Sequence, residues 1–256
     1  MPDQRRHRGP HPDDVRLFGA DALPALQTAV AELAWLLTRG YPHASSLKLV
    51  GDRHALESRQ RLAVSRCTCG DADAARRQQR QVSPQSLAGC RIELDGYNVL
   101  TSIEAALSGG VLLLARDGVL RDMASMHGSY RKVDETLPAL ELIGQTLAGF
   151  GVSEALWLLD RPVSNSGRLK KIIEDLAGQW GWTWQVELVH DPDAELMQSD
   201  EIVATADSAI LDLCEAWFNL ARETVERHVA GARLVDLGSI ANRRVGPDRG
   251  ASAGPP

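Results

Sequence analysis

The chain has 256 residues, of which 44% are hydrophobic and 24% charged, and its formal net charge is −6. This composition is typical of a globular protein with a sizeable core, and the negative charge argues against a general nucleic-acid coat protein. No apolar run approaches the roughly 18 residues that a membrane helix needs, and the start lacks the apolar segment of a secretory signal. Four scattered cysteines indicate reduced thiols, so we expect a cytoplasmic protein without membrane contact.

The first 69 residues predict a loose arm followed by a small helical domain. Residues 1–20 are polar and contain three prolines, which is typical of a flexible arm. Residues 21–69 carry apolar side chains at helical spacing, with Asp21 available as a cap and Pro24 in a first-turn position. Three helical segments are expected in this domain, over residues 21–38, 46–50 and 52–66.

After this domain the composition changes twice. Residues 70–89 are rich in Asp, Arg, Gln and Ser and predict a linker, with a turn of helix at 74–81. Over residues 90–237, apolar runs of strand length alternate with amphipathic helical stretches, which predicts an α/β domain with a mostly parallel sheet. Residues 242–256 are rich in Gly, Pro and Arg and predict a disordered tail.

The elements of the α/β domain can be placed approximately along the chain. Strands are expected over residues 91–95, 111–115, 155–160, 183–189, 201–205 and 233–237. The segment over residues 111–115 is expected to be a single strand or the first strand of a hairpin, and a turn is expected after it at Asp117-Gly118. Helices are expected near residues 98–107, 119–127, 136–149, 166–178 and 208–228.

Carboxylates follow several predicted strands at the point where each strand ends. Asp95, Asp160 and Asp207 stand at or just after three strand ends, and Asp191 follows the strand over 183–189 in the same way. In an open parallel sheet, ligands bind outside the carboxyl ends of the strands. We therefore expect these acids to converge at one sheet edge, where their mutual repulsion favours a neutralising divalent cation.

The expected cation is Mg²⁺ or Mn²⁺, because hard cations prefer oxygen ligands and keep several of their waters. Such an ion lowers the pKa of a bound water and stabilises charge that develops on a phosphate, which points to a phosphodiester hydrolase. Asn98, one helical turn beyond Asp95, is expected to position a water or to complete an outer shell. The alternative is that each Asp caps the helix after its strand, a position where Asp is favoured.

Three motifs in this region resemble those of a known nuclease superfamily. Asp95-Gly96-Tyr97-Asn98-Val99 looks like the first-strand motif of the PIN-like nucleases, particularly of the NYN branch, and Ala204-Thr205-Ala206-Asp207-Ser208 looks like their late Thr-Ser-Asp motif. Leu159-Asp160 is similar to the acid after their central strand. This resemblance, over roughly residues 90–237, implies a three-layer α/β/α fold and a Mg²⁺- or Mn²⁺-dependent ribonuclease. By position, Asp95, Asp160 and Asp207 would bind the metal, with Asn98 beside them.

The complete chain also resembles a prokaryotic two-part family of unknown function, in which a helical front precedes the PIN-like domain. The front carries Arg39-Gly40-Tyr41 and Leu49-Val50-Gly51-Asp52-Arg53. This front, with Arg53, Arg59 and Arg66, is expected to recognise RNA or a protein partner, or to support a homo-oligomer.

The resemblance leaves the fourth acid of the site open. NYN-type enzymes often place a further acid on a helix before the late motif, and Asp191, Asp193, Glu195 and Asp200 crowd that interval here. We expect Asp191 to be the fourth metal ligand. If the site has too few acids, a degenerate PIN-like domain that binds RNA or protein without cleavage is the alternative. A phosphatase with an aspartyl nucleophile is a third interpretation, although its usual Asp-x-Asp pattern has Tyr97 at the second position.

Polar residues shortly after Asp160 predict a phosphate-binding helix start. Ser164, Asn165 and Ser166 offer hydroxyls and an amide where a predicted helix begins, and Arg168 adds a positive charge. Free N–H groups at a helix N-terminus attract phosphate, so these residues are candidates for substrate binding. The alternative is an ordinary helix cap followed by solvated basic residues.

Basic residues also surround the predicted turn at 117–118. They form either a groove that follows a nucleic-acid backbone, with Tyr130 stacking on a base, or a solvated face, which is the commoner arrangement. The basic residues concerned are Arg116, Arg121, Arg131 and Lys132.

Cys67-Thr68-Cys69, with His43 or His54, is a weak zinc pattern. One intervening residue is shorter than the usual spacing of zinc-binding cysteines, and no second cysteine pair follows. The sequence therefore disfavours zinc at this position.

Overall fold

The first part of the chain is helical. The computed structural model describes residues 7–123 and 130–239. Five helices come first: α1 (Asp14–Leu17), α2 (Leu23–Thr38), α3 (His43–Arg53), α4 (Ser58–Arg66) and α5 (Asp71–Arg80). Helix α2 forms because Pro24 suits its first turn and because Leu26, Val30 and Leu33 recur on one buried face.

This helical region departs from the sequence expectation at several points. Asp21 does not cap α2, because the helix begins at Leu23 with Ala22 in the cap position. Helix α1 lies in the segment expected to be a loose arm, yet its Leu17 is buried. The expected linker contains the whole of α5 and a turn of 3₁₀ helix over Pro84–Leu87. Because Arg77 of α5 is also buried, this segment is part of the folded structure.

Eight strands in the described residues form two sheets. The strands are β1 (Arg91–Asp95), β2 (Val111–Leu114), β3 (Leu120–Asp122), β4 (Glu154–Asp160), β5 (Trp184–Val189), β6 (Ile202–Ala204), β7 (Ala216–Trp217) and β8 (Arg233–Asp236). The main sheet has five parallel strands in the order β5-β4-β1-β6-β7. The second sheet has the order β3-β2-β8, in which β2 is antiparallel to β3 and parallel to β8.

Helices cover both faces of the main sheet. They are α6 (Gly96–Leu107), α7 (Thr136–Gly149), α8 (Ser166–Trp180), α9 (Pro192–Met197), α10 (Ser208–Leu213) and α11 (Leu220–His228). Trp157 of β4 packs in the cluster that α6, α7, α8 and α11 cover, whereas its neighbour Leu158 packs on the opposite side with Leu196 of α9 and Ile210 of α10. The predicted three-layer α/β/α fold is therefore confirmed. Among the described residues, no helix combines the length and apolarity that a bilayer-spanning segment requires.

Two of the helices predicted for the α/β domain are wrong. Residues 120–122 form β3, because Gly118 takes a φ of +80° and turns the chain back so that Leu120 pairs with Leu114. Residues 124–129 of that predicted helix lie outside the described residues. The helix predicted over 208–228 is broken into α10 and α11, because Trp217 between them is buried and pairs with β6. In both cases strand pairing overrides the local helical pattern.

The helical region and the second sheet share one hydrophobic core. Leu26 and Leu33 of α2 pack in the same buried cluster as Val111 and Leu113 of β2 and Val235 of β8. The opposite face of that sheet contributes Leu112 to the core under α6. The second sheet therefore connects the helical region to the α/β layers.

Gly144 of α7 leaves room for a tryptophan ring. A Cβ placed on Gly144 would lie 2.0 Å from the ring of Trp182. Trp182 stacks on Trp180 and Trp184, with ring centroids 5.4 and 4.8 Å away, so its ring has little freedom to move. We expect Gly144→Ala to lower the free energy of unfolding by about 1–3 kcal/mol, the usual cost of overpacking.

A second helical glycine provides the control for this prediction. Nothing lies within 4 Å of a Cβ placed on Gly178 of α8, and alanine favours a helix over glycine by about 1 kcal/mol. Gly178→Ala is therefore expected to stabilise the protein, while Gly144→Ala destabilises it. Urea unfolding followed by tryptophan fluorescence measures both variants, and shifts of the same sign would contradict the packing argument.

Candidate functional site

The predicted acids lie along one edge of the main sheet. Strands β4, β1 and β6 are adjacent and parallel, so their carboxyl ends lie at the same edge. Asp95 ends β1, Asp160 ends β4, and Asp207 follows shortly after β6. Asp95 pairs with Leu158 in the register, which places Asp160 two residues farther out along β4.

A cavity of about 520 Å³ opens at this edge. Asp95, Asn98 and Asp207 line it, so it brings together three of the four residues predicted to be catalytic. Two further carboxylates line the same cavity, namely Asp122 of β3 and Asp193 of α9. We call this space the acidic cavity, because acids from four different elements line it.

Two hydrogen bonds hold the carboxylate of Asp95. The Thr205 hydroxyl donates to Oδ2 at 2.8 Å, and the backbone N–H of Asn98 donates to Oδ1 at 3.4 Å. Burial raises the pKa of the Asp95 carboxyl to about 7, the Thr205 hydrogen bond opposes this rise, and the charges of Asp193 and Asp207 add to it. A cation in the cavity would favour the ionised form of this group.

The raised pKa of Asp95 predicts a particular dependence of stability on pH. The pKa is about 7 in the folded protein against an ordinary value of 3.8, so the folded state binds this proton more tightly than the unfolded state does. The resulting stabilisation is fully present below about pH 4 and is lost as the pH rises to about 7. Over that window, we expect Asp95 to reduce the free energy of unfolding by on the order of 3 kcal/mol.

Urea unfolding in EDTA across this pH range measures the effect. Asp95→Asn should remove this part of the pH dependence, because asparagine does not titrate. Asp175→Asn, at an exposed position on α8, should keep it. Identical pH profiles for the wild type and Asp95→Asn would contradict the assignment.

Asn98 and Thr205 fix the loop that carries Asp207. The side-chain Oδ1 of Asn98 accepts a hydrogen bond from the backbone N–H of Ala206 at 2.8 Å. The Thr205 oxygen accepts one from the N–H of Asp207 at 3.0 Å, while its hydroxyl donates to Asp95. Oδ1 of Asn98 therefore binds backbone. This contact differs from the two roles predicted for Asn98, which were to position a water or to complete an outer shell. Thr205 lies inside the late motif, but sequence reasoning did not select it as a site residue.

Asp207 and Asp191 both cap short helices, as the capping interpretation expects. Oδ1 of Asp207 accepts from the N–H of Ala209 at 2.7 Å at the start of α10, and Oδ1 of Asp191 accepts from the N–H of Ala194 at 3.0 Å at the start of α9. Their surroundings differ, because Asp207 lines the acidic cavity and Asp191 does not. The position expected for Asp191 as fourth acid is taken by Asp193, two residues farther along.

Asp193 interacts electrostatically with every acid predicted for the site. Burial raises the pKa of Asp193, and the charges of Asp207, Asp160 and Asp191 raise it further. The charge of Asp193 in turn raises the pKa of Asp95. Asp160 is absent from the cavity lining, and burial followed by the charge of Asp191 raises its pKa. Asp160 therefore lies at the edge of the cluster of acidic residues, outside the cavity lining.

The residues predicted to bind a substrate phosphate are not held together. Ser166 is buried, and its hydroxyl lies 2.5 and 2.6 Å from two backbone carbonyls before α8 and 2.7 Å from the Tyr97 hydroxyl. It therefore serves the turn rather than a ligand. Asn165 and Arg168 line a separate pocket of about 180 Å³. Ser164 is exposed and lines neither space.

Arg116 and Arg121 are buried, which corrects both the groove and the solvated-face interpretations for these two residues. Arg121 donates to both oxygens of Asp117, each at 2.8 Å, and Arg77 reaches the same carboxylate at 2.6 Å. Burial alone would raise the pKa of Asp117, but Arg121 and Arg77 lower it to about 2. Arg121 also donates to the carbonyl of Ala206 at 3.0 Å, so this buried ion cluster supports the loop that Asn98 holds.

One basic residue of the helical region reaches the acidic cavity. Arg66, which ends α4, lines the cavity and donates to the backbone carbonyl of Asp122 at 2.6 Å. By contrast, Arg59 is paired with the buried Asp14 at 2.6 Å, and Arg53 lies 3.5 Å from Glu32. Of the three arginines expected to serve recognition, only Arg66 lies at the site.

The carboxylates of the acidic cavity are the candidate ligands for a hydrated cation. Within residues 7–123 and 130–239, no group of three or more His, Cys, Asp or Glu side chains is arranged to hold a metal ion. Mg²⁺ usually keeps several waters and needs only one or two carboxylates, so a cavity lined by Asp95, Asp193 and Asp207 suits such an ion.

The zinc pattern is not assembled in the structure. Burial raises the pKa of Cys67 to about 12 and that of Cys69 to about 11, which keeps both thiols neutral. His54 is paired with Glu32 at 2.9 Å, and Nε2 of His43 lies 3.3 Å from the Ser65 hydroxyl. Both histidines are therefore engaged elsewhere.

The fold and the cavity define an α/β protein with an acidic site at the carboxyl edge of a parallel sheet, joined to a helical region. The chain belongs to the family described as a domain of unknown function, DUF5616, whose model matches residues 84–223. A second family model, described as a protein of unknown function, DUF434, matches residues 25–80. Over 187 residues the chain is 29% identical to the uncharacterized protein MJ0935 of Methanocaldococcus jannaschii, with 73% of this chain and 89% of the relative covered. No solved structure matches the chain.

Proposed function

We propose that the protein is a divalent-metal-dependent ribonuclease that hydrolyses RNA phosphodiester bonds in the cytoplasm. The observation that carries the proposal is the acidic cavity, where acids from β1, β3, α9 and the start of α10 meet. Carboxylates that repel one another, as Asp193 and Asp207 repel Asp95, favour a bound cation. The resemblance of Asp95-Gly96-Tyr97-Asn98 to the first-strand motif of NYN-type nucleases supports the same function.

The proposed ion is Mg²⁺ or Mn²⁺. Asp95 and Asp207 would hold it, and Asp193 adds a third negative charge to the same cavity. When bound, the ion supplies a water of lowered pKa and stabilises negative charge on the phosphate. The carboxylates of Asp95, Asp193 and Asp207 offer oxygen ligands, which suit a hard cation.

The chain's own residues prepare the site before a substrate enters. Thr205 holds the Asp95 carboxylate, and Asn98 holds the loop that carries Asp207. Groups fixed in this way need little reorganisation during a reaction, which is how preorganised sites lower a barrier. Arg66 supplies positive charge on the cavity wall, and we assign it to an oxygen of the substrate phosphate.

Binding without cleavage is the second candidate function. Asp207 uses Oδ1 to cap α10, and Asn98 uses its Oδ1 to hold Ala206, so both have structural contacts that require no metal. The described residues also lack a group of three metal-binding side chains. A degenerate domain of this kind would bind RNA or a protein and turn over nothing.

Incubation with RNA separates these functions. Purified protein is mixed with single-stranded or structured RNA in Mn²⁺, in Mg²⁺ or in EDTA, and products are resolved by gel. The proposed metal-dependent ribonuclease gives products only when a divalent cation is present. RNA binding without products in either cation would support the degenerate domain. A parallel screen of phosphomonoesters addresses the phosphatase interpretation, for which we expect no turnover.

A further inference from the structure

A second pocket, near the start of α8, is lined by three cations. This basic pocket has a volume of about 180 Å³ and is lined by Arg131, Lys132 and Arg168, with Tyr130 and Asn165 beside them. No carboxylate of the described chain lines it. In the same described chain, the side chains of Lys132 and Arg168 have no ion-pair partner. At least two positive charges of this pocket are therefore not neutralised by the described protein.

Two hydrogen bonds build the basic pocket by tying the segment before α7 to the loop before α8. The backbone N–H of Tyr130 donates to the carbonyl of Ser164 at 3.2 Å. Nδ2 of Asn165 donates to the carbonyl of Tyr130 at 3.0 Å. Tyr130 is buried, which rules out base stacking on its ring, whereas Arg131 and Lys132 after it are exposed. The anchoring of Tyr130 thus places these two cations beside Arg168.

The basic pocket adjoins the acidic cavity. Tyr97 lines the acidic cavity, and its ring contacts Tyr130 of the basic pocket with a centroid distance of 5.2 Å. The Tyr97 hydroxyl also lies 2.7 Å from the Ser166 hydroxyl, in the first turn of α8. The two tyrosines therefore separate the acidic cavity, which Arg66 and Arg121 also line, from the basic pocket.

We propose that the basic pocket holds a backbone phosphate of an RNA strand, adjacent to the phosphodiester bond that lies in the acidic cavity. The inference rests on the proposed function, because it takes RNA as the substrate. Lysine and arginine neutralise backbone phosphates without reading sequence, and the guanidinium of arginine binds phosphate through two parallel hydrogen bonds. Four aspartates and two arginines line the acidic cavity, so its net negative charge repels a polyanion. A neighbouring basic pocket supplies the attraction that brings the strand to the site.

The salt dependence of RNA binding tests this role. Affinity for a short labelled single-stranded RNA is measured by fluorescence anisotropy in EDTA over a series of salt concentrations. Each phosphate contact contributes about 0.7 to the slope of log affinity against log salt on a single strand. We expect Arg168→Ala to reduce the slope by about 0.7, and Lys132→Ala combined with Arg168→Ala to reduce it by about 1.4.

Lys171→Ala is the matched control. Lys171 is an exposed cation on the same helix as Arg168, but it does not line the basic pocket. Lys171→Ala removes one positive charge, as Arg168→Ala does. We expect its slope of log affinity against log salt to equal that of the wild type within error. Equal reductions in Arg168→Ala and Lys171→Ala, or no reduction in either, would overturn the proposal.

Two more measurements complete the test. The first shows whether the pocket takes an RNA phosphate or free phosphate, and the second separates this inference from the proposed ribonuclease function. If inorganic phosphate binds the wild type but not the double variant, while RNA affinity is equal in both, the pocket takes free phosphate and the RNA proposal fails. Cleavage of RNA by the wild type, with no change of affinity or slope in the variants, would remove this inference and keep the ribonuclease function. A reduced slope in the variants, with no cleavage by the wild type in any cation, would remove the ribonuclease function and keep the phosphate contact in the basic pocket.

Discussion

Replacing Asp95 with asparagine is expected to reduce metal-dependent cleavage of RNA by roughly a thousandfold. Asparagine keeps the size of the side chain and one oxygen that can accept the hydrogen bond from Thr205, and it gives up only the long bond of 3.4 Å from the N–H of Asn98. The substitution therefore removes mainly the negative charge, which the proposed cation needs. Initial rates with saturating Mn²⁺ measure the loss, and circular dichroism checks that the variant is folded.

Asp207→Asn gives a sharper comparison, because Asp207 has a structural counterpart in Asp191. Both residues cap helices of six residues, and only Asp207 lines the acidic cavity. Asparagine is itself a good N-cap, so neither substitution should cost much stability. We expect Asp207→Asn to lose cleavage as Asp95→Asn does, and Asp191→Asn to retain at least about half of the wild-type rate. Near-wild-type rates in both variants would show that Asp207 is only a helix cap.

Local signals in the sequence were sufficient for the central strands and for their terminal acids. The run at 91–95 is a short apolar-rich segment that ends in Asp-Gly, and β1 has those same bounds. Helix α7 likewise spans the predicted residues 136–149. In such segments the apolar pattern, the turn residues and the tertiary packing all favour the same structure. The convergence of Asp95 and Asp207 then follows from the parallel order of the strands.

The other residues of the cavity depend on packing between distant segments. Asp122 reaches the cavity from β3, which the local pattern predicts to be a helix. Arg66 comes from the helical region, and it reaches the site because that region packs on the second sheet. No local periodicity encodes either contact. Asp193 lay in an interval crowded with acids, where the sequence offered no reason to prefer it to Asp191.

Sequence also cannot separate a capping Asp from a metal-binding one. Both roles require a carboxylate at the junction of a strand and a helix, and one residue can serve both. Oδ1 of Asp207 is used by the cap, yet the residue still lines the acidic cavity. The distinction lies in what surrounds the junction, and this is a property of the assembled fold. For this reason the paired variants at Asp207 and Asp191 are more informative than either one alone.

The largest effect on stability is expected at Asp117, outside the acidic cavity. Its side chain is 1% exposed and lies between Arg77 of α5 and Arg121 of β3. Asp117→Ala would leave the buried guanidinium of Arg121 without its counter-charge, whereas Arg77 would keep its ion pair with Asp212 at 2.8 Å. We expect the free energy of unfolding to fall by about 3–5 kcal/mol. Urea unfolding by circular dichroism measures this change.

Asp52→Ala is the control for the buried ion cluster. Asp52 also pairs with two cations, Lys48 and Arg61, but on an exposed surface, so its loss should hardly move the urea midpoint. Equal shifts for Asp52→Ala and Asp117→Ala would contradict a special role for the cluster. Because Arg121 also binds the carbonyl of Ala206, Asp117→Ala should reduce RNA cleavage at temperatures where the variant remains folded. In that case a residue outside the cavity lining affects cleavage through the loop that carries Asp207.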